Sequence, residues 1–188
     1  MKDINLFKTN NSLYLKKISS KTDLSEKDDC DGYLIESSEK EARKIIASLK
    51  DKKGGEILAL MGQDDAFNRR AIETLKIDYL VSPEKGNKID NLKQRDSGLN
   101  HVVAKEAAKQ NITIIVDMSE ISNLKGKEKA LRLERIIQNI KICRKANCNI
   151  KIASLVKNRQ EIFDEKGRIA FGISLGMSSV QSAEAIKF

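Results

Sequence analysis

Short apolar runs separated by segments of helical pattern are the feature that most constrains the fold of this 188-residue chain. The runs are of strand length and rich in Ile, Leu and Val, which is typical of buried strands. The clear runs are Gly32–Glu36, Glu56–Met61, Asp78–Ser82, Ile112–Asp117, Asn149–Leu155 and Ile169–Leu175. One or two weaker strands are predicted within Ile4–Ile18, so the sequence predicts seven or eight strands.

The alternation of strands and helices predicts a parallel sheet covered by helices, because right-handed crossovers place the helices on its faces. Seven or eight strands suit a small closed barrel of the TIM type, and a doubly wound open sheet is the alternative. No glycine-rich phosphate fingerprint follows any run, which weakens the nucleotide-binding versions of the open sheet. No repeat or linker divides the sequence, so we expect a single α/β domain over residues 1–188.

Composition excludes several classes of protein. With 40% hydrophobic and 33% charged residues the chain is too apolar to be disordered. No apolar stretch is long enough for a signal peptide or a membrane span, so we expect a cytoplasmic protein that does not contact membranes. The only histidine is His101, which excludes a histidine-rich metal site.

The positive charge of the chain is concentrated in its last third. The net charge is +8, yet residues 121–188 alone carry 14 basic and 6 acidic groups. Within this part, Lys125–Ala146 is predicted to be an amphipathic helix. Lys127, Arg135, Gln138 and Lys145 lie away from its apolar stripe. The excess continues to Lys157 and Arg159, which predicts a basic patch for the backbone of folded nucleic acid, with a solvated lysine face as the alternative.

The longest predicted loop follows Asp78–Ser82 and runs from Pro83 to His101. It contains four cationic residues, two of which are Lys85 and Lys88. Asp96 and Ser97 can cap the next helix, which would place Arg95 before a helix amino terminus. His101 and Lys105 would share one face of the first turns, an arrangement that suits a phosphate. The alternative is that Asp96 is only a cap, Arg95 pairs with it, and His101 packs at an interface.

Two acidic positions allow a metal interpretation. Asp64 and Asp117 each follow an apolar run, and with His101 they could serve a stand-alone, metal-dependent phosphoesterase. The more ordinary interpretation is that both carboxylates cap helices.

Three central stretches, Asp78–Pro83, Arg95–Lys105 and Asn111–Ser119, resemble protein component 3 of archaeal ribonuclease P and its eukaryotic homologue. The most specific stretch is RDSGLNH at Arg95–His101, which lies between the two apolar strands. Weaker agreement extends from Gly32 to Phe188, and the first thirty residues depart from the family pattern.

This resemblance implies a TIM-like barrel, related to the polymerase and histidinol phosphatase (PHP) and amidohydrolase barrels, that lacks their metal ligands. It implies a non-catalytic subunit that binds no cofactor, while the RNA subunit uses magnesium to release the 5′ leader of precursor tRNA. The implied partners are ribonuclease P RNA, protein component 2 and, indirectly, precursor tRNA. The family's basic loop positions correspond to Arg95, His101 and Lys105. Charge clustering adds Lys85, Lys88, Arg135, Lys145, Lys157 and Arg159. A generic protein that binds ribosomal RNA is a further alternative.

Overall fold

A computed structural model describes residues 2–25, 28–50, 55–86, 90 and 95–188, the side chain of Lys50 excepted. The strands are β1 (Asp3–Asn5), β2 (Ser12–Ile18), β3 (Gly32–Ile35), β4 (Ile57–Met61), β5 (Tyr79–Val81), β6 (Thr113–Asp117) and β7 (Ile150–Ala153). The α-helices are α1 (Glu39–Lys50), α2 (Asp65–Thr74), α3 (His101–Lys109), α4 (Met118–Asn123), α5 (Gly126–Ala146), α6 (Glu165–Ser174) and α7 (Ser179–Ala185). Short 3-10 helices occupy Lys21–Asp23 and Arg159–Glu161.

The strands form one parallel sheet in which each strand pairs with the next along the chain. A doubly wound sheet would reverse its strand order partway, so the open-sheet alternative is wrong. β1 also lies beside the residues that follow β7. Leu155 N–H donates to the Ile4 carbonyl, and Leu6 N–H donates to the Val156 carbonyl, each at 2.9 Å. The sheet is therefore a nearly closed barrel surrounded by helices, which confirms the predicted fold class.

A buried ion pair reinforces this seam between the two ends of the sheet. The Arg168 guanidinium of α6 donates to Asp3 Oδ1 at 2.9 Å, and both side chains are almost inaccessible to solvent. The same carboxylate oxygen accepts the Ser154 N–H at 3.1 Å. One carboxylate therefore connects β1 to α6 and to the chain just after β7.

Two hydrophobic clusters lie on opposite faces of the sheet, as strand alternation requires. On β3, Leu34 belongs to the cluster inside the barrel, whereas Tyr33 and Ile35 belong to the cluster under the helices. β6 repeats this pattern, with Ile115 inside. Buried side chains of the inner cluster therefore fill the interior of the barrel.

The prediction of a strand at Ile169–Leu175 is wrong, because this segment lies in α6 and at its carboxyl end. The buried positions of α6 and its carboxyl end follow helical spacing; they are Arg168, Gly172 and Leu175. Asp164 caps the helix by accepting the Gly167 N–H. Short apolar runs do not distinguish a strand from a half-buried helix. The strand number still agrees with the prediction, because the amino-terminal region supplies both β1 and β2.

The remaining helices largely agree with the sequence. The predicted helix Lys125–Ala146 is α5, and Ile136, Ile140 and Cys143 are buried as expected. In the described part of the chain, no helix is both long and apolar enough to cross a bilayer.

Candidate nucleic-acid interface

A cavity of about 380 Å³ lies at the carboxyl ends of the barrel strands, the end where parallel barrels carry their functional residues. We call this end the mouth. Leu6, Leu34, Met61 and Leu155 form the apolar part of the cavity lining. Polar and charged residues complete the lining, namely Lys17, Lys85, Asp117, Ser119, Glu120, Asn123, Lys157 and Glu161.

A chain of ion pairs crosses this mouth. Glu36 pairs with both Lys17 and Lys85, and the Lys85 ammonium lies 3.1 Å from the Glu36 carboxylate. Lys85 also lies 3.9 Å from Glu120, which accepts a hydrogen bond from Arg132 at 2.9 Å. Lys85, predicted to bind RNA, is therefore half-buried between two carboxylates.

Two further carboxylates at the mouth are deeply buried. Glu84 is 1% exposed, and its Oε1 atom has no hydrogen-bond partner in the part of the chain that the structure describes. Burial raises the pKa of Glu84 to about 7, and burial also raises the pKa of Asp117 to about 7. Both groups lie near Glu120, whose charge adds to the same upward shift. The mouth thus contains two acids that titrate near neutral pH.

These shifts predict that stability falls as pH rises. Both acids hold their protons more tightly in the folded than in the unfolded chain, so their contribution is fully present below about pH 4 and is lost as pH rises through about 7. Gln cannot ionise, so Glu84→Gln should remove roughly 2 kcal/mol of the fall in the free energy of unfolding between pH 5.5 and pH 8. Urea unfolding at pH 5.5 and pH 8 measures it. Glu128→Gln, on the exposed face of α5, is the matched control, and equal pH dependence in both variants would contradict the shift.

The carboxylates at the strand ends do not fit a metal site. Asp64 caps α2 by accepting the Phe67 N–H at 2.7 Å, and Asp117 caps α4 by accepting the Glu120 N–H at 3.0 Å. His101 is exposed at the start of α3. Within the described ranges, no three His, Cys, Asp or Glu side chains are grouped so that they could hold a metal ion. Both carboxylates have the structural role of helix caps, the second interpretation made from the sequence.

Residues 90, 95 and 97 of the long loop contact α5, which changes the interpretation of Arg95. Arg95 pairs with Asp90 at 3.0 Å and with Glu134 at 2.9 Å, rather than with Asp96. Arg135 also pairs with Asp90, at 3.2 Å. Two predicted RNA contacts, Arg95 and Arg135, are therefore engaged in ion pairs that connect Asp90 and Arg95 to α5.

The cap of α3 also differs from the prediction. Asn100, not Asp96 or Ser97, is the N-cap, and its side chain accepts the N–H groups of Val102 and Val103 at 3.0 Å each. Asp96 Oδ1 instead accepts the Gly98 N–H within the loop. Asx residues favour both roles, so sequence alone does not choose between them.

His101 and Lys105 lie on the first turns of α3 and are both exposed, as predicted. The neighbouring Val102 is 69% exposed, although it is an apolar residue. Helical spacing buries Val103, Ala104 and Ala107 instead. This exposed face of α3 therefore has an apolar as well as a cationic character.

Cations without an acidic partner lie on one side of the mouth. Six basic residues that follow β6 and β7 at this end have no acidic partner among the described residues; we call them the mouth cations, and they are Lys125, Lys127, Lys129, Lys157, Arg159 and Lys166. The exposed acids Glu128, Glu161 and Glu165 are interspersed with them. The mouth cations therefore give this side of the mouth a net positive charge, next to the ion pairs of the cavity.

The predicted basic patch is divided between two ends of the barrel. α5 begins near the carboxyl end of β6 and ends just before β7 starts, so it runs the length of the barrel. At 1.5 Å per residue, Lys145 lies roughly 27 Å along the helix from Lys127. Lys145 is exposed but lies at the opposite end from Lys157 and Arg159. Lys88 lies outside the described residues.

Comparison with known proteins gives distant but consistent relatives. No model of a known protein family matches the chain. Ribonuclease P protein component 3 of Thermococcus gammatolerans is 26% identical over 144 residues, which are 77% of this chain and 64% of the relative. The same component of Methanocaldococcus jannaschii is 28% identical over 125 residues, 66% of this chain and 50% of the relative. The chain is a relative of ribonuclease P protein component 3. It spans between half and two thirds of the length of these curated relatives.

Solved structures agree on the fold of this component 3 relative. A chain in a structure of archaeal ribonuclease P with mature tRNA matches it with a TM-score of 0.74 at 22% identity, covering 98% of this chain and 87% of that chain. An amidohydrolase matches with a TM-score of 0.57 at 11% identity, covering 85% of this chain and 41% of that chain. At such identities the likeness shows the fold alone, and it is the barrel that the sequence predicted.

Sequence reasoning did not single out the buried acid Glu84 or the residues that neutralise the mouth. Glu36, Glu120 and Arg132 lie in three different segments, and nothing local indicates that they meet. Glu84 carried one usable signal, since it follows the end of β5 by three residues and strand ends converge at the mouth.

Proposed function

We propose that this component 3 relative is a non-catalytic, RNA-binding subunit of ribonuclease P. In this role it supports the catalytic RNA in removing the 5′ leader of precursor tRNA. The observation that carries the proposal is the distribution of charge at the mouth, where inner carboxylates form ion pairs or cap helices while the mouth cations have no acidic partner among the described residues. Cations without acidic partners are available to phosphates, and phosphate contacts dominate the affinity of proteins for RNA.

The same arrangement argues against an enzyme built on Asp64, Asp117 and His101. Asp64 and Asp117 each accept a backbone N–H at the start of a helix. His101 is exposed on a different helix. A hydrolytic metal site needs converging ligands and an open coordination position, which these three residues do not supply. The magnesium used for cleavage is accordingly assigned to the RNA subunit.

The proposed partners are ribonuclease P RNA and, as the direct protein neighbour, protein component 2. Precursor tRNA would be contacted indirectly, through the assembled complex. Four of the basic residues predicted from the sequence have exposed side chains at or near the mouth, namely His101, Lys105, Lys157 and Arg159. We expect these four to contribute more to RNA binding than Arg95, Arg135 and Lys85, because those three already have acidic partners.

Capture from native lysate tests the proposal. The full chain, carrying an affinity tag, is expected to recover ribonuclease P RNA as the most enriched RNA when the bound RNA is sequenced. Tagged chain with Lys127, Lys157 and Arg159 changed to glutamate is the control for nonspecific recovery. Enrichment of ribosomal RNA without ribonuclease P RNA would support the generic RNA-binding alternative and would contradict the proposal.

A further inference from the structure

A second cavity, of about 540 Å³, lies beside the mouth. One wall is the connection after β1, from Phe7 to Asn11, and the other wall contains Arg159 and Ile162. We call this cavity the side cleft. Its volume is in the range of small-molecule sites, and nothing in the mouth network occupies it.

The seam of the barrel fixes the two walls of the side cleft relative to each other. The Leu6 N–H donates to the Val156 carbonyl at 2.9 Å, so the chain after β1 is held against the chain after β7. Leu6 lines the mouth cavity and the next residue, Phe7, lines the side cleft. Thr9 and Ser12 share a hydrogen bond of 2.8 Å, which braces the turn that follows. The cleft is therefore part of the barrel framework.

The side cleft combines an apolar surface with a cation and amides. The Phe7 ring is half-buried, and Ile162 is 38% exposed opposite it. The exposed Arg159 has no ion-pair partner among the described residues, and Asn10 and Asn11 are exposed. Aromatic faces stack on nucleobases, guanidinium groups bind phosphates, and amides hydrogen-bond base edges.

Lys8 adds a second positive charge at the rim. It pairs with Asp29, but both side chains are mostly exposed, at 65% and 82%. Exposed ion pairs contribute little energy, so Lys8 can exchange its carboxylate for a phosphate at small cost. Asp29 and the nearby Glu161 are the acids that oppose an anion here.

We propose that the side cleft binds one unpaired nucleotide of RNA, with its base against Phe7 and its phosphate on Arg159. This inference rests on the proposed function, because it takes the RNA to be a partner of the barrel. A base inside a duplex is already stacked and cannot reach the ring, so the ligand is a bulged, looped or terminal nucleotide. The overall low aromatic content still argues against a long stacking platform, and the cleft needs only one ring.

Phe7→Trp gives a direct readout, since the chain contains no tryptophan. We expect a single-stranded RNA hexamer to quench the fluorescence of this tryptophan, and an RNA duplex of equal length to leave it unchanged. Phe171→Trp, on α6 and outside the cleft, should respond to neither RNA. Equal quenching by hexamer and duplex, or no quenching at hexamer concentrations that saturate binding, would overturn the proposal.

Two substitutions test the energy of the contact. Phe7→Leu keeps an apolar side chain but removes the ring, and it should weaken binding of the hexamer on the order of tenfold, as expected for one base-aromatic stack. Phe171→Leu should bind the hexamer as tightly as the unsubstituted chain does. Arg159→Gln should lower the affinity for the hexamer and, when combined with Phe7→Trp, should also reduce the quenching of the tryptophan fluorescence. Unchanged hexamer affinity in Phe7→Leu would overturn the proposal, and if Phe7→Leu does not fold, the Phe7→Trp quenching decides.

The two proposals fail in different ways. If the unsubstituted chain recovers ribonuclease P RNA from lysate but Phe7→Trp is not quenched by the hexamer, the side cleft is not a nucleotide site and the proposed function stands. If the hexamer quenches Phe7→Trp but ribonuclease P RNA is not recovered, the cleft binds nucleotides and the proposed function is wrong.

Discussion

Changing Lys127, Lys157 and Arg159 together to glutamate is expected to flatten the salt dependence of RNA binding and to weaken the binding itself. Each phosphate contact releases condensed counterions, so three lost contacts should reduce the slope of log affinity against log salt by about 2 to 3. Between 50 and 200 mM salt, the unsubstituted chain should lose about thirtyfold more affinity than the variant. Equilibrium binding to ribonuclease P RNA over this range measures both effects.

A matched set at the opposite end of the barrel is the control. Lys76, Lys141 and Lys145 are exposed and have no acidic partner among the described residues, and changing them to glutamate alters the net charge by the same amount. In this variant the slope of log affinity against log salt should stay close to that of the unsubstituted chain, because charges farther from the RNA than the Debye length have little effect on its binding. If this control variant flattens the slope as much as the mouth variant does, RNA binds along the whole of α5 and the mouth is not the preferred surface. That result would agree with the sequence-based prediction that Lys145 binds RNA.

Of the single substitutions proposed for this chain, Arg168→Leu is expected to lower the free energy of unfolding the most. It leaves the buried Asp3 carboxylate without its cation at the barrel seam, and removing one partner of a buried ion pair costs about 3 to 5 kcal/mol. The N–H groups of Ile4 and Ser154 would still donate to Asp3 Oδ1, but they carry no full positive charge, and Asp3 Oδ2 has no hydrogen-bond partner among the described residues. The free energy of unfolding in urea measures this cost.

Two comparisons separate this effect from the loss of an ordinary arginine. Arg69→Leu breaks an exposed pair with Glu73 and should change the free energy of unfolding by about 1 kcal/mol or less. Combining Arg168→Leu with Asp3→Asn removes the uncompensated charge and should recover part of the loss. If Arg168→Leu is as stable as Arg69→Leu, the seam does not depend on this pair.

Much of the barrel was predictable from local pattern. β3 to β7 are apolar because parallel strands are buried on both faces, and that pattern is visible without the structure. The helix α5 was predictable for a similar reason, since its 21 residues repeat the apolar stripe several times. Ile169–Leu175 was misassigned because seven residues contain too few repeats to separate the two periods.

The parts of the site that could not be predicted depend on contacts between distant segments. Arg95 has the sequence of a helix-start phosphate ligand, yet Glu134, 39 residues further on, pairs with it. Arg135 lies away from the apolar stripe as predicted, yet its side chain is largely buried and pairs with Asp90, 45 residues earlier in the chain. Charge clustering identified the basic segment, but only the direction of α5 shows that Lys127 and Lys145 lie at opposite ends of the barrel.

The central claim, that this barrel supports a catalytic RNA, is tested most directly by a magnesium titration of precursor-tRNA cleavage. Ribonuclease P RNA is assayed alone, with the chain and protein component 2, and with the chain carrying the three glutamates at the mouth. Cations that neutralise phosphates reduce the repulsion that magnesium otherwise screens. The unsubstituted chain should therefore lower the magnesium concentration for half-maximal cleavage, and with the variant this concentration should return most of the way to its value for the RNA alone. The isolated chain should cleave nothing at any magnesium concentration. A magnesium midpoint that does not move when the chain is added, or cleavage by the chain without RNA, would contradict the claim.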